Sequence, residues 1–310
     1  MKKLDIKTSL TELFAMTQSE LKQHCASSLK NSGYSVKEAD GYVLALPKDE
    51  TPSVCFIAHL DTVYKTPPTE FYTMKFDEAL KIDRLSHKHA ITFGGDLSAE
   101  NKIINEHYPD GDLLQSPQGI GGDDRCGVYV CMRMAEEKHK PAILLLEDEE
   151  IGCVGAAKFV KAKEQLSVKF LVEFDRGGCN NVVFYALDNP EFENVIEYIT
   201  GYEIQEGTYS DICVIAPYLG VAACNITAGY YNEHREEREF VLIDQVEDTV
   251  NVAMSLNDHA RQIQTPYKYK ERYNGWGGID PYEEMYWELQ DRCDDLEKRI
   301  EQLEQYVLGA

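Results

Sequence analysis

The sequence predicts an α/β protein: a mixed, largely parallel sheet sandwiched by helices, followed by a C-terminal helix with a heptad pattern. Short, continuously apolar runs alternate with longer segments of helical periodicity, the pattern of a sheet covered on both faces. Acidic residues, histidine and glycine follow several of those runs directly, where open α/β sheets bind their ligands. Beyond residue 280 the apolar spacing changes to alternating fours and threes.

Taken in order, Leu10, Leu13, Phe14, Leu21, Cys25 and Leu29 give residues 9–30 a helical rhythm, closed by Asn31-Ser32-Gly33. Residues 54–58, 142–146, 170–174 and 182–186 read as buried strands. Helical patterns fall at 127–137, 154–163, 191–199 and 245–263. Near Thr265 the composition shifts to Tyr, Lys, Trp and Gly. The expected organisation is therefore one domain over 1–264, a linker over 265–280 and a helix over 281–310. In that helix Tyr282, Tyr286, Leu289, Cys293, Leu296, Ile300, Leu303 and Val307 form one seam. Such a seam fits a homo-oligomeric coiled coil, and equally a terminal helix docked on its own domain.

The 310 residues suffice for one large core, or a core with an appendage. Hydrophobic residues at 43% and charged ones at 27% match a globular chain rather than a disordered one. Acids outnumber bases 54 to 31, a net charge of −23 that repels nucleic acid and anionic membranes and excludes both as main partners. No run approaches the roughly 18 apolar residues of a membrane span. The first ten residues carry Lys2, Lys3, Asp5 and Lys7 without an apolar stretch, so no secretory leader is expected. The nine cysteines are odd in number and form no paired CxxC knuckles. Free thiols in a reducing cytoplasm are the expectation.

Five signals carry chemistry. His59-Leu60-Asp61 follows the run 54–58; a neutral imidazole ligates metal while a carboxylate two residues on, on the same strand face, steers its other nitrogen. A hydrogen-bonded histidine at a strand end is the plainer account. Gly121-Gly122-Asp123-Asp124-Arg125-Cys126-Gly127 puts two carboxylates at a helix start, where they either cap the helix or bind a cation. Glu147-Asp148-Glu149-Glu150 follows 142–146. Four consecutive acids repel one another, so they form a solvated turn or gather around a divalent cation. The fourth signal is Glu173-Phe174-Asp175-Arg176-Gly177-Gly178, and the fifth is His234 in Tyr231-Asn232-Glu233-His234-Arg235. Either alone reads as an ordinary turn.

In that order, HLD, GGDDRCG, EDEEIG, FDRGG and a late histidine resemble the co-catalytic zinc peptidases, within them the peptidase T and aminoacylase branch. The resemblance spans roughly 53–241 and includes a long insertion between the first histidine and GGDD. It implies a zinc aminopeptidase-like fold with two Zn2+, Co2+ and Mn2+ being able to occupy similar donors. His59 would bind one metal, oriented by Asp61, and Asp123 would bridge both. Glu150 with one histidine and Asp175 with the other would complete the two sets, His234 being the later histidine. Glu149 would be the general base for hydrolysis of a peptide bond. The resemblance also implies an inserted lid domain in many relatives, for which residues 176–233 are too few. Tyr209 and Asp211, in Glu206-Gly207-Thr208-Tyr209-Ser210-Asp211, resemble a loop that borders the substrate pocket of single-domain aminopeptidases, although a simple turn accounts for them too. Glu239 lies five residues after His234, where relatives usually show an acid at four. His87, His89 and His107 fall in the long insertion, without an assigned role. The implied substrates are a small peptide or an acylated amino acid, the latter making the protein a deacylase. A catalytically silent assembly or binding protein is the third reading, opposed by the intact Glu149-Glu150 pair.

Overall fold

Alternate residues of one strand show how the layers are built. In the strand Cys55–His59, Cys55 and Ile57 join one buried cluster, while Phe56 and Ala58 join another on the opposite face. A period of two is what a strand buried on both sides requires. The computed structural model describes residues 3–75, 111–235 and 238–272, with side chains from Ile6 onward. The heptad helix expected over 281–310, residues 273–280 of the expected linker, and His87, His89 and His107 lie outside the described residues.

The chain begins with α1 (Lys3–Phe14) and α2 (Gln18–Asn31), then β1 (Tyr34–Ala39), β2 (Tyr42–Pro47) and β3 (Cys55–His59). Next come β4 (Tyr72–Lys75), β5 (Asp112–Gln115), α3 (Gly122–Met134), β6 (Ala142–Leu146), α4 (Val154–Lys161) and β7 (Leu171–Glu173). β8 (Asn181–Val183), α5 (Pro190–Thr200), β9 (Glu203–Gln205), α6 (Asp211–Leu219) and β10 (Ala223–Ile226) follow. The last are β11 (Tyr230–Tyr231), β12 (Phe240–Leu242) and α7 (Ile243–Gln262). An eight-stranded sheet has the order β1-β2-β6-β3-β7-β10-β8-β9, and its central strands β6, β3, β7 and β10 run parallel. Residues of α1, α2, α3, α5 and α7 pack one face; α4 and α6 pack the other. β4 and β5, from the long insertion, join β11 and β12 in a second, antiparallel sheet. No described helix is long and apolar enough to cross a membrane.

The fold class expected from the sequence is the one observed. The helix expected over 9–30 is instead two helices, separated at residues 15–17. Thr17 caps α2: Glu20 donates its backbone N–H to the threonine hydroxyl, and the Glu20 carboxylate accepts the backbone N–H of Thr17. This reciprocal box fixes a new helix start inside a continuous apolar rhythm. Residues 265–271, expected to begin a linker, are strapped to the domain. Tyr267 donates to the Lys169 carbonyl and accepts from Ala222, and Asp188 donates to Lys270. The compact unit accordingly runs to Glu271.

Candidate functional site

The sheet order sets the site. β6, β3 and β7 are parallel neighbours, so their carboxyl ends share one edge. β3 ends on His59, β6 leads into Glu147–Glu150, and Asp175 lies two residues beyond β7. α3 starts at the same edge with Asp123, and His234 enters from the turn between β11 and β12.

His59 Nε2 lies 3.0 Å from Asp123 Oδ1 and 3.3 Å from Asp175 Oδ1. The other Asp123 oxygen, Oδ2, is 3.2 Å from His234 Nε2, which is 3.0 Å from Glu150 Oε2. One carboxylate therefore faces two imidazoles, an oxygen towards each. Ligands about 2.0–2.1 Å from a tetrahedral zinc are separated by about 3.3 Å, so these spacings suit metal donors. Ligand-capable atoms of His59, Glu149 and Asp175, and of His59, Asp123 and Glu150, also fall within 4.8 Å of one another. The nitrogen and oxygen donors fit a divalent cation. The other ring nitrogen, His59 Nδ1, sits 3.3 Å from Asp61 Oδ1. Asp61 also accepts the backbone N–H groups of Glu149 and Glu150, at 3.0 and 3.1 Å. It thus ties the first histidine to the acidic turn.

The four consecutive acids are not a solvated turn. Glu147 pairs with Lys22, Asp148 accepts from Gln18, Glu149 accepts from the Cys153 thiol, and Glu150 meets His234.

A supporting layer fixes the carboxylates. Asp124, adjoining Asp123 through a cis peptide, accepts the backbone N–H groups of His59 and Gly127. Gly122 is required by a close approach: a Cβ there would lie 2.7 Å from Tyr230 Cβ and 2.9 Å from Val241 Cγ2. Asp175 Oδ1 accepts from Tyr230 at 3.1 Å. Its Oδ2 accepts from Ser210 at 3.1 Å, and Ser210 is also 2.5 Å from Glu173. Arg125 donates to the carbonyls of Leu13 and Phe14, holding the end of α1 against α3.

Glu239 anchors the glycine turn. It is fully buried and accepts the backbone N–H groups of Gly121, Gly122 and Asp123 at 3.2, 2.6 and 3.3 Å. Its replacement by alanine would leave three buried donors unpaired, and Glu239→Ala is expected to cost about 3 kcal/mol or more of stability, read by denaturant unfolding. Glu239→Gln keeps an acceptor oxygen and is expected to cost less; equal stability of Glu239→Ala and the unaltered protein would remove this role.

The electrostatics point the same way. Burial lowers the His59 pKa, but the carboxylates of Asp175, Asp123 and Asp61 outweigh it and hold the pKa well above the usual range. Hydrogen bonds to Asp123 and Glu150 raise that of His234 to about 11. Imidazoles held protonated by surrounding carboxylates mark a strongly negative potential, the condition for retaining a divalent cation. Burial, aided by the charges of Asp175, Asp123 and Glu150, raises Glu149 to about 7. A carboxylate raised by like charges is another mark of a potential that a cation would neutralise.

His59, Asp61, Asp123, Glu149, Glu150, Asp175 and His234 thus meet at one sheet edge. Tyr209 is exposed, whereas Asp211 is fully buried with neither carboxylate oxygen hydrogen-bonded. Sequence reasoning left Ser210, Tyr230, Glu173 and Cys153 without a role; nothing in their local spacing distinguishes them.

No family model matches the sequence, and no curated protein matches it. Solved structures do resemble the fold. An aminopeptidase PepT from Bacillus cereus is 13% identical, over 84% of this chain and 100% of that one, with a TM-score of 0.60. A tripeptidase from Staphylococcus aureus is 11% identical over 84% and 100%, with a TM-score of 0.58. A glutaminyl cyclase from Porphyromonas gingivalis is 12% identical over 83% and 98%, with a TM-score of 0.53. Two peptidases and a cyclase share this architecture, so the likeness shows the fold, and the activity has to be argued from the site.

Proposed function

We propose that the protein is a two-metal hydrolase that cleaves a peptide bond of a small peptide, as an aminopeptidase or di/tripeptidase. The observation that carries this reading is Asp123, with one oxygen facing His59 and the other facing His234. His59, Asp123 and Asp175 would hold one cation; His234, Asp123 and Glu150 the other. Zinc suits these donors, and cobalt or manganese could replace it. Divalent cations bound there supply Lewis acidity towards an amide carbonyl and lower the pKa of water.

The chain's own residues have separate tasks. Glu149 takes a proton from the attacking water on its carboxylate and returns it to the leaving amine nitrogen, so that amide plus water yields acid plus amine. Asp61 holds the His59 ring through Nδ1, leaving Nε2 directed at Asp123 and Asp175. Glu239 and Asp124 keep the Asp123 turn in place. Residues 176–233 carry β8, α5, β9, α6, β10 and β11, which supports a centre without an inserted lid, its substrate pocket being made by loops. Tyr209, exposed beside Ser210, is the proposed substrate contact at the rim. Asp211 would act from beneath the surface. The described cysteines are all free thiols, in keeping with a reducing cytoplasm.

The same centre would serve an N-acyl amino acid deacylase. A panel of the tripeptide Leu-Gly-Gly, its N-acetylated form and N-acetyl-leucine separates the two. Cleavage confined to the free amine supports the peptidase; cleavage confined to acylated substrates selects the deacylase; no cleavage after metal reconstitution contradicts both. His234→Ala is expected to lower bound metal from about two ions per chain to about one, measured by elemental analysis. Unchanged occupancy would place the ligand elsewhere.

A further inference from the structure

The turn that presents the acids contains a side chain where glycine would be easier. Cys153 has φ 55°, a left-handed backbone that is strained for residues bearing a Cβ and open to glycine. It stands at the N-cap of α4, yet its side chain makes no capping hydrogen bond to that helix. The thiol turns back instead, with Sγ 3.5 Å from Glu149 Oε1. Cys153 is 1% exposed, within the core under α4 and α6. Burial, with the charges of Asp211, Glu149 and Glu173 acting in the same direction, pushes its pKa far up, so the thiol keeps its proton and remains a donor. Among the described residues, no other donor reaches the Glu149 carboxylate by a hydrogen bond.

We propose that Cys153 is a positioning residue for Glu149, its S–H holding Oε1 so that Oε2 alone faces the reacting water and leaving amine. The inference rests on Glu149 being the base in the function proposed above. A base that accepts a proton on one side and delivers it on the other works best when its carboxylate cannot rotate, and one hydrogen-bonded oxygen prevents that rotation. The backbone locks the same turn: Cys153 N–H donates to the Glu149 carbonyl at 2.9 Å, and Gly152 N–H donates to it at 2.8 Å. The backbone bonds place the chain, and the thiol places the carboxylate.

The test compares Cys153→Ala, Cys153→Ser and Glu149→Gln in the full-length, metal-reconstituted protein, with whichever probe of the panel above is cleaved. Cys153→Ala should lower kcat about 10-fold, with KM within about twofold and unchanged metal content, because only the aim of the base is lost. Cys153→Ser restores a donor and should recover most of that loss; a thiol needed only for packing would predict no such rescue. Cys153→Ala at the unaltered kcat, or Cys153→Ser as slow as Cys153→Ala, overturns the inference. Glu149→Gln separates the two levels. If it is inactive while Cys153→Ala is fully active, this inference fails and the proposed base stands. If Glu149→Gln is itself fully active, or no probe is cleaved at all, both fail.

Discussion

Glu149→Gln is expected to keep its bound metal and lower kcat by about 10²–10⁴-fold. The amide has nearly the shape of the carboxylate and still accepts the Cys153 thiol, but it cannot take a proton from water at neutral pH. The position suits the task. Glu149 lies in the turn after β6, one residue before Glu150. Among the four acids of its turn, Glu147 and Asp148 are engaged by Lys22 and Gln18, and Glu150 by His234. Glu149 is left facing the cluster. A ligand-capable atom of Glu149 also lies near those of His59 and Asp175, so metal content must be measured in the same samples. Loss of metal together with turnover would make Glu149 a ligand rather than the base, and near-normal turnover would remove it from the chemistry.

Asp123→Ala should have the broadest effect, reducing bound metal from about two ions per chain towards none and abolishing cleavage. Asp123 Oδ1 and Oδ2 face different histidines, so deleting this one carboxylate would remove a donor from both proposed sets. His234→Ala, by contrast, removes a donor from one. The variant should still fold. Hydrogen bonds to His234 and His59 outweigh burial and hold the Asp123 pKa below the usual carboxylate range, so the side chain is charged inside a crowd of acids. Its loss relieves like-charge repulsion with Asp175 and Glu150 as much as it removes favourable contacts. The expected outcome is therefore a folded, metal-poor protein by circular dichroism and elemental analysis. Retention of one tightly held ion would show that Asp123 serves a single site.

The parts of this arrangement legible in the sequence are those written as contiguous patterns. Strands β3, β6 and β7 are buried on both faces, so apolar runs precede the terminal His59 and Glu173 and fill all of β6, and the runs stand out. The donors follow because an α/β sheet places ligands after its parallel strands. Other elements were hidden by their chemistry. β1 is an edge strand bearing Ser35, Lys37 and Glu38, which breaks any apolar run. α6 is apolar nearly throughout and contains Pro217, so it shows little helical stripe. The break between α1 and α2 lies in the Thr17–Glu20 box, within a rhythm that reads through it. Tyr267 and Lys270 look like linker residues because their bonds are made by the backbone, to partners distant in sequence.

The same limit governs the site. Glu239 lies one residue beyond the expected spacing from His234, and its partners are the N–H groups at 121–123, more than 100 residues earlier. No local spacing reveals such a bond. His234 has φ 61° and a half-exposed ring, and its approach to Asp123 depends on the turn between β11 and β12. Cys153 is identified only once its thiol is seen beside Glu149.

The central claim is a two-cation centre built on Asp123. The most direct test is elemental analysis of bound metal per chain after reconstitution with zinc, with cleavage of the peptide panel followed before and after chelation. The account predicts about two ions per chain, and hydrolysis lost to the chelator and restored by zinc. Absence of bound metal after reconstitution, or hydrolysis indifferent to chelation, would contradict it.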